Sequence, residues 1–315
     1  MSIFTKIISI FMMIPALLGL YKQDADDTVD AYVSKVGSIG IENTIESAVP
    51  QTEIYNMINE HFASPLPEGK TEKKAIVIGY DGCRADALTL VGDSYSGIGK
   101  MVDAGAFVKL AYCGGVNLPA ENTQDTSTAP GWCAVLTGVW ADQNGIYSNG
   151  VNKTLEYKTL FTTLVENKVI DSANFITSWK GHFVNDDSTY KLEKQYCEDN
   201  KLNVAFNCCN EDVASALTAI KDIRQDDCSD FIFAIYEGTD HAGHTFGFST
   251  NNPIYESGFK LNDVLAYMTL EAVESRDTYA TEDWLIIITS DHGGYGTDHG
   301  GPSMQERIVF IVTNK

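Results

Sequence analysis

The chain has 315 residues, 44% hydrophobic and 21% charged, which excludes a disordered polymer and suffices for one large α/β domain or two smaller ones. Its net charge of −21 argues against a nucleic-acid polymer as partner, because phosphate backbones are held by Lys and Arg. An acidic protein that acts on phosphate needs a local positive centre, and bound metal ions supply one.

Residues 1–22 carry one basic residue near the start, Lys6, then an almost wholly apolar run from Ile7 to Leu20. That length suits the core of a signal peptide and is short for a spanning helix, which needs about 20 apolar residues. No Ala-x-Ala cleavage pattern follows, so a signal peptide and an uncleaved membrane anchor both stay open. Either reading predicts an exported protein, secreted or anchored to the outer face of the membrane. There are seven cysteines, an odd number without any C-x-x-C, so a thiolate zinc site is not expected. In an exported protein some would pair, with a connectivity the sequence does not encode.

Residues 23–72 are polar and acidic, with Ile54, Met57 and Ile58 at helical spacing and a loop at Pro65-Leu66-Pro67-Glu68-Gly69. They predict a helical N-terminal extension leading to a catalytic domain over 73–315. Ala75–Tyr80 is an apolar run without alternation, which suits a strand buried on both faces of a parallel sheet, and it runs into Asp81-Gly82. Thr126-Ser127-Thr128-Ala129-Pro130 places three hydroxyls before a proline, with an apolar run ending at Gly138. This predicts a short helix with a hydroxyl at its N-terminus, where free N–H groups and the helix dipole favour an anion. Taken alone, the same stretch is an ordinary Ser/Thr cap.

Phe231–Tyr236 leads to Asp240, and Trp284–Ser290 leads to Asp291-His292. Further candidate strands are Ala106–Ala111, Asn174–Ser178 and Ile308–Val312, with helical patterns over Thr159–Glu166, Glu211–Ile223 and Tyr255–Ser275. Strands alternating with helices imply a mostly parallel sheet covered on both faces, with ligands collecting beyond the carboxyl ends of the strands. Asp81, Asp240 and Asp291 all fall there. Asp240-His241-Ala242-Gly243-His244 and Asp291-His292-Gly293 through His299 add imidazoles in glycine-bearing segments read as loops. Three carboxylates and three imidazoles at strand ends form a mixed set suited to zinc, with manganese or iron as rivals.

Strand-Asp81-Gly82, a hydroxyl before x-Pro, Asp240-x-x-Gly-His244, Asp291-His292-Gly293 and the later His299 together resemble the alkaline phosphatase superfamily over residues 74–313. The resemblance implies a three-layer α/β/α sandwich and two divalent ions. It assigns Asp240, His244 and His299 to one ion, and Asp81, Asp291 and His292 to the other. Thr128 would reach toward the second ion as the nucleophile, giving a phosphothreonine intermediate. Asn149, 21 residues beyond Thr128, resembles the phosphate-binding asparagine of the nucleotide pyrophosphatase/phosphodiesterase branch.

A sulfatase is disfavoured, since Thr128 and Trp132 stand where a C/S-x-P-x-R pattern needs an oxidisable residue and an arginine. Two departures from the resembled branch concern the substrate. Ala129 replaces the usual aromatic after the nucleophile, and Gly131-Trp132 replaces a frequent Asn-His. Trp132 is expected to pack the helix, and Ser178-Trp179-Lys180-Gly181-His182 is a weak candidate for a leaving-group contact. The reading is a phosphodiesterase acting on a small-molecule phosphate ester. A phosphoethanolamine-type transferase, a phosphomonoesterase and a catalytically inactive binding protein on the same fold remain as alternatives.

Overall fold

The computed structural model describes residues 27–41, 43–92, 94–115 and 123–315. The apolar segment read as an export signal or anchor lies outside these residues. Among the described residues no helix is long and apolar enough to cross a membrane.

An eight-stranded sheet forms the middle layer. Its strands are β1 (Val49–Pro50), β2 (Glu72–Tyr80), β3 (Phe107–Tyr112), β4 (Ala173–Thr177), β5 (Val204–Cys208), β6 (Phe231–Tyr236), β7 (Glu282–Thr289) and β8 (Ile308–Thr313). Their spatial order is β1-β3-β8-β7-β2-β6-β4-β5. Only β8 runs against its neighbours β3 and β7. The remaining pairings are parallel.

The side-chain period of two splits each central strand between two cores. Ile76, Ile78 and Tyr80 of β2 face a core with Ile232, Ala234 and Phe310, under helices α3 (Gly97–Asp103), α7 (Asp212–Ile223) and α9 (Pro253–Glu274). Ala75 and Val77 face the opposite core with Phe233, Ile235 and Ile287. Helices α2 (Glu53–Ala63), α4 (Thr128–Thr137) and α5 (Leu160–Glu166) cover that side. This is the three-layer α/β/α sandwich that the resemblance implies. Two further helices are α1 (Val29–Gly37) and α6 (Lys191–Asp199), and α8 (Gly238–Phe246) follows β6.

Within residues 23–72, α1 and α2 are joined by a two-residue strand, β1, which the helical reading omits. Helix α1 is fixed to the sandwich by Tyr32, whose hydroxyl donates to the Ile308 carbonyl at 3.3 Å. The Arg84 guanidinium lies 5.1 Å from the centre of the Tyr32 ring. Strand β5 is also absent from the sequence reading, because it is a partly exposed edge strand without a continuous apolar run.

Parallel in-register pairing sets the position of the site. Tyr80 pairs with Tyr236 and Gly79 with Thr289, so β2, β6 and β7 end level with one another. The next residues of each chain therefore meet at one end of the sheet.

Candidate active site

Asp81, Asp291 and His292 come directly from the ends of β2 and β7 and are fully buried; Asp240 is 8% exposed. The expected loop around Asp240 is instead helix α8, which places Asp240 in its first turn and His244 one turn later on the same face. Gly82 has φ +64°, and a Cβ there would stand 2.7 Å from Asp240 Oδ1. Only glycine permits that close approach of the β2 and β6 ends.

Helix α4 presents the hydroxyl. Ser127 is its extended N-cap and Thr128 its first residue, so Pro130 occupies the third helical position rather than the first. The fit survives, because the first-turn N–H groups have no intrahelical acceptor. Gly138 ends the helix at φ +72°. Thr128 Oγ1 lies 3.3 Å from Asp81 Oδ1, to which it donates.

Trp132 also reaches Asp81. Its ring is fully buried against Phe233, as expected for a packing residue, and its Nε1–H donates to Asp81 Oδ2 at 2.8 Å. Gly79 leaves room for it, since a Cβ would stand 2.4 Å from the indole. The Gly82 N–H donates to Asp291 Oδ1 at 3.2 Å.

The imidazoles are oriented by carbonyls. His292 Nδ1 contacts the Gly293 carbonyl at 2.7 Å, and His244 Nδ1 contacts the Thr297 carbonyl at 3.0 Å. With Nδ1 engaged by a carbonyl, Nε2 is the nitrogen turned toward the carboxylates and the one available to a metal. His292 Nε2 is 3.5 Å from Asp81 Oδ1 and 3.4 Å from Asp291 Oδ2. Asp240 lies between His244 Nε2, at 3.5 Å from Oδ2, and His299 Nε2, at 3.6 Å from Oδ1. Potential ligand atoms within 4.8 Å of one another form two sets among the described residues: Asp81, Asp291 and His292, then Asp240, His292 and His299. His244, partly exposed, stands beside the second set.

Buried polar atoms normally have partners. Here Asp240 Oδ1, Asp291 Oδ2, His292 Nε2 and His299 Nδ1 have none by hydrogen bonding, and two of the four, on Asp291 and His292, follow directly from the end of β7. Burial is the largest influence on every one of these groups. With the Asp81 charge it pushes Asp291 well above the ordinary carboxylate range and Asp240 up to about 6. For Asp81, burial is outweighed by His292 and the Trp132 indole, which hold the carboxyl low. The Asp291 and Asp81 charges overcome burial at His292 and raise it to about 10, whereas burial and His292 hold His299 down to about 3. The cluster is thus short of positive charge, and its carboxylate and imidazole donors fit divalent cations.

Asn149 is brought to the same place: its Oδ1 accepts the N–H of Ala129, the residue after Thr128, at 2.8 Å. Thr126 bonds at long range, donating to the Gly301 carbonyl at 2.8 Å and accepting from the Gly300 N–H at 3.1 Å, so it ties the His299 loop to α4. The Ser127 hydroxyl is buried without a hydrogen-bond partner. Sequence reasoning does not single out Glu237, which follows β6 and is only 3% exposed. Burial and the charges of Asp81 and Asp212 hold its carboxyl well above the ordinary range, and it accepts from Thr177 Oγ1 at 3.3 Å. Its position, level with Asp81 on the neighbouring strand, is the signal that could have found it.

Among solved structures, the chain is similar to murine ectonucleotide pyrophosphatase/phosphodiesterase 5, at 17% identity and a TM-score of 0.47. The match covers 70% of this chain and 57% of the murine one. It is also similar to the C-terminal periplasmic domain of EptC from Escherichia coli, solved in complex with zinc, at 13% identity and a TM-score of 0.50 over 79% of this chain and 76% of that one. An alkaline phosphatase from the Antarctic bacterium TAB5 matches at 13% identity and a TM-score of 0.47, covering 77% of this chain and 91% of its own. No curated protein matches the sequence. The family model for type I phosphodiesterase/nucleotide pyrophosphatase matches residues 75–306, the span that carries every group described above. The chain belongs to that family.

Proposed function

We propose that the protein is a phosphodiester hydrolase in which Thr128 is the nucleophile and two divalent cations, zinc first among them, complete the site. The observation that carries this reading is the position of Thr128. Its hydroxyl stands at a helix N-terminus, 3.3 Å from a buried aspartate whose neighbours are unpartnered ligand atoms. Asp81, Asp291 and His292 would hold one cation and Asp240, His244 and His299 the other. Bound cations would supply Lewis-acid charge for the nucleophile and the leaving oxygen.

The residues then divide the work. Thr128 Oγ attacks phosphorus and gives up its proton, the ester P–O bond to one alcohol breaks with that alcohol leaving as it takes up a proton, and a phosphothreonine diester remains. Water cleaves the Thr128 O–P bond, releases the phosphate monoester and returns the proton to Oγ. The Asn149 amide N–H groups and the N-terminus of α4 orient the phosphate oxygens. Among the described residues no Lys or Arg side chain bonds to Asp81, Thr128, Asp240, Asp291, His292, His299 or Asn149. Export to the cell exterior is proposed with it, on the apolar run Ile7–Leu20.

Thr128→Ala is expected to reduce turnover of bis(p-nitrophenyl) phosphate by at least 10³-fold while zinc content and melting temperature stay near wild type. Near-wild-type turnover in that variant overturns the nucleophile assignment. A p-nitrophenyl phosphate rate above the diester rate overturns the diesterase reading.

A further inference from the structure

Phe248 lies in the turn between α8 and α9 and supplies no ligand atom. Its ring is 1% exposed and meets His244 at 5.4 Å and His299 at 6.1 Å, with interplanar angles of 81° and 88°. The two imidazoles are themselves 4.8 Å apart, so one ring braces the pair. Glycines make room for it on two segments. A Cβ at Gly243, beside His244, would stand 2.4 Å from the ring, and one at Gly294, two residues past His292, would stand 2.2 Å from it.

The residue is held through its backbone and its ring. The Phe248 N–H donates to the Gly296 carbonyl at 2.7 Å, in the passage that carries His299. The Phe248 carbonyl accepts from Arg84 Nη1. Tyr255 of α9 packs against the ring at 5.9 Å. Its hydroxyl donates to the Gly82 carbonyl at 2.8 Å and accepts from the Arg84 N–H at 3.0 Å. Arg84 is fully buried and carries the network outward. Asp86 accepts from its Nε and Nη2 at 3.0 Å each, and Asp27 accepts from Nη1 and Nη2 at 2.8 Å each. Asp27 stands in the N-terminal extension, two residues before α1. A buried ion cluster adds little net stability, because desolvation offsets the attraction. What this one fixes is the Phe248 carbonyl.

We infer that Phe248 is a positioning residue for the cation assigned to Asp240, His244 and His299: it sets the spacing of the two imidazoles, and the Asp27–Arg84 pair keeps it in place. The inference rests on the two-cation reading given under the proposed function. The other cation needs no such brace, since Asp291 and His292 follow a strand end directly and Asp81 is held by the Trp132 indole. His299 lies in the passage between β7 and β8, outside any named strand, and takes its support from a neighbour.

The test titrates metal-free protein with Co²⁺ and follows the absorbance of the bound ion. Wild type is expected to take up two ions per chain. Phe248→Ala should weaken one of them by about 10–100-fold, the usual cost of losing a group that orients a ligand, and leave the other unchanged. Asp27→Asn, remote from the ring, should weaken the same ion by a smaller factor. In His299→Ala, where that site is already broken, adding Phe248→Ala should change nothing further, whereas a general loosening of the fold would lower the remaining affinity too. Two unchanged ions in Phe248→Ala, or equal weakening of both, overturns the inference and leaves the two-cation reading standing. Unchanged affinity for both ions in Asp27→Asn overturns it as well, whether or not Phe248→Ala folds. One ion or none in wild type overturns the two-cation reading and the inference with it.

Discussion

Asp81 accepts two donors of different kinds, the Thr128 hydroxyl on Oδ1 and the Trp132 indole on Oδ2. The indole uses up one oxygen and turns the other toward Thr128 and His292. Trp132→Phe keeps a ring against Phe233 but removes this N–H. Loss of such an orienting partner typically costs about 10–100-fold in metal affinity. Zinc titration of Trp132→Phe is expected to show a weakening in that range, and an unchanged affinity would show that Asp81 needs no such support. The residue scale is also where sequence reading reaches its limit. The meeting of Asp81, Asp240 and Asp291 at one end of the sheet was legible because each follows a strand written as an unbroken apolar run. The bond from Asn149 to Ala129, the indole beside Asp81 and the burial of Glu237 depend on side chains from distant segments, and no local pattern records them.

At the scale of elements, the close approach of α4 to the β7 end decides the geometry of the nucleophile. Gly131 sits in the second turn-forming stretch of that helix, and a Cβ there would stand 2.7 Å from the Asp291 carbonyl oxygen. Elsewhere in a helix Ala is better than Gly by about 1 kcal/mol. Here the neighbour is backbone and cannot swing away, so the sign reverses. Gly131→Ala is expected to destabilise the protein by about 1–3 kcal/mol, as overpacking does. Denaturant unfolding measures it; a gain in stability would mean that α4 can move off the sheet freely. Elements with their own strong pattern were legible: β2, β6, β7 and α9 lie within two or three residues of the apolar runs that predict them. Those without one were not. Strand β1 has two residues, β5 lies at a sheet edge, and α8 carries glycines that suggested a loop.

For the whole molecule, two buried histidines outside the proposed ligand set tie stability to acidity. Burial holds His182 down to about 3 and, with the Lys315 charge, His61 down to about 4. The unfolded chain therefore binds more protons than the native one once the pH falls below the ordinary histidine value of about 6.5. Stability contributed by their neutral forms is fully present above about 6.5 and declines as the pH falls toward 4. Melting temperature should drop over that window, with a shallower slope in His182→Phe. An identical slope in that variant would rule out His182 as a source. All seven cysteines are unpaired, so the native fold has no cross-link to oppose acid unfolding. The sandwich itself was legible from the alternation of strands and helices, whereas the reversed direction of β8 was not, because a buried apolar run reads the same in either direction.

The strand-end geometry has a consequence for biosynthesis. The proposed ligands and nucleophile lie at positions 81, 128, 240, 244, 291, 292 and 299, so the first and last are more than two hundred residues apart. A nascent chain that has formed β2 and α4 still lacks the segment bearing Asp291, His292 and His299, which enters only with β7 and the passage to β8. Cation capture on this plan is a late event, and ions that bind the finished cluster stabilise only completed molecules. Metal supply would then act less as a nucleus for folding than as a seal on chains that have already closed the sheet.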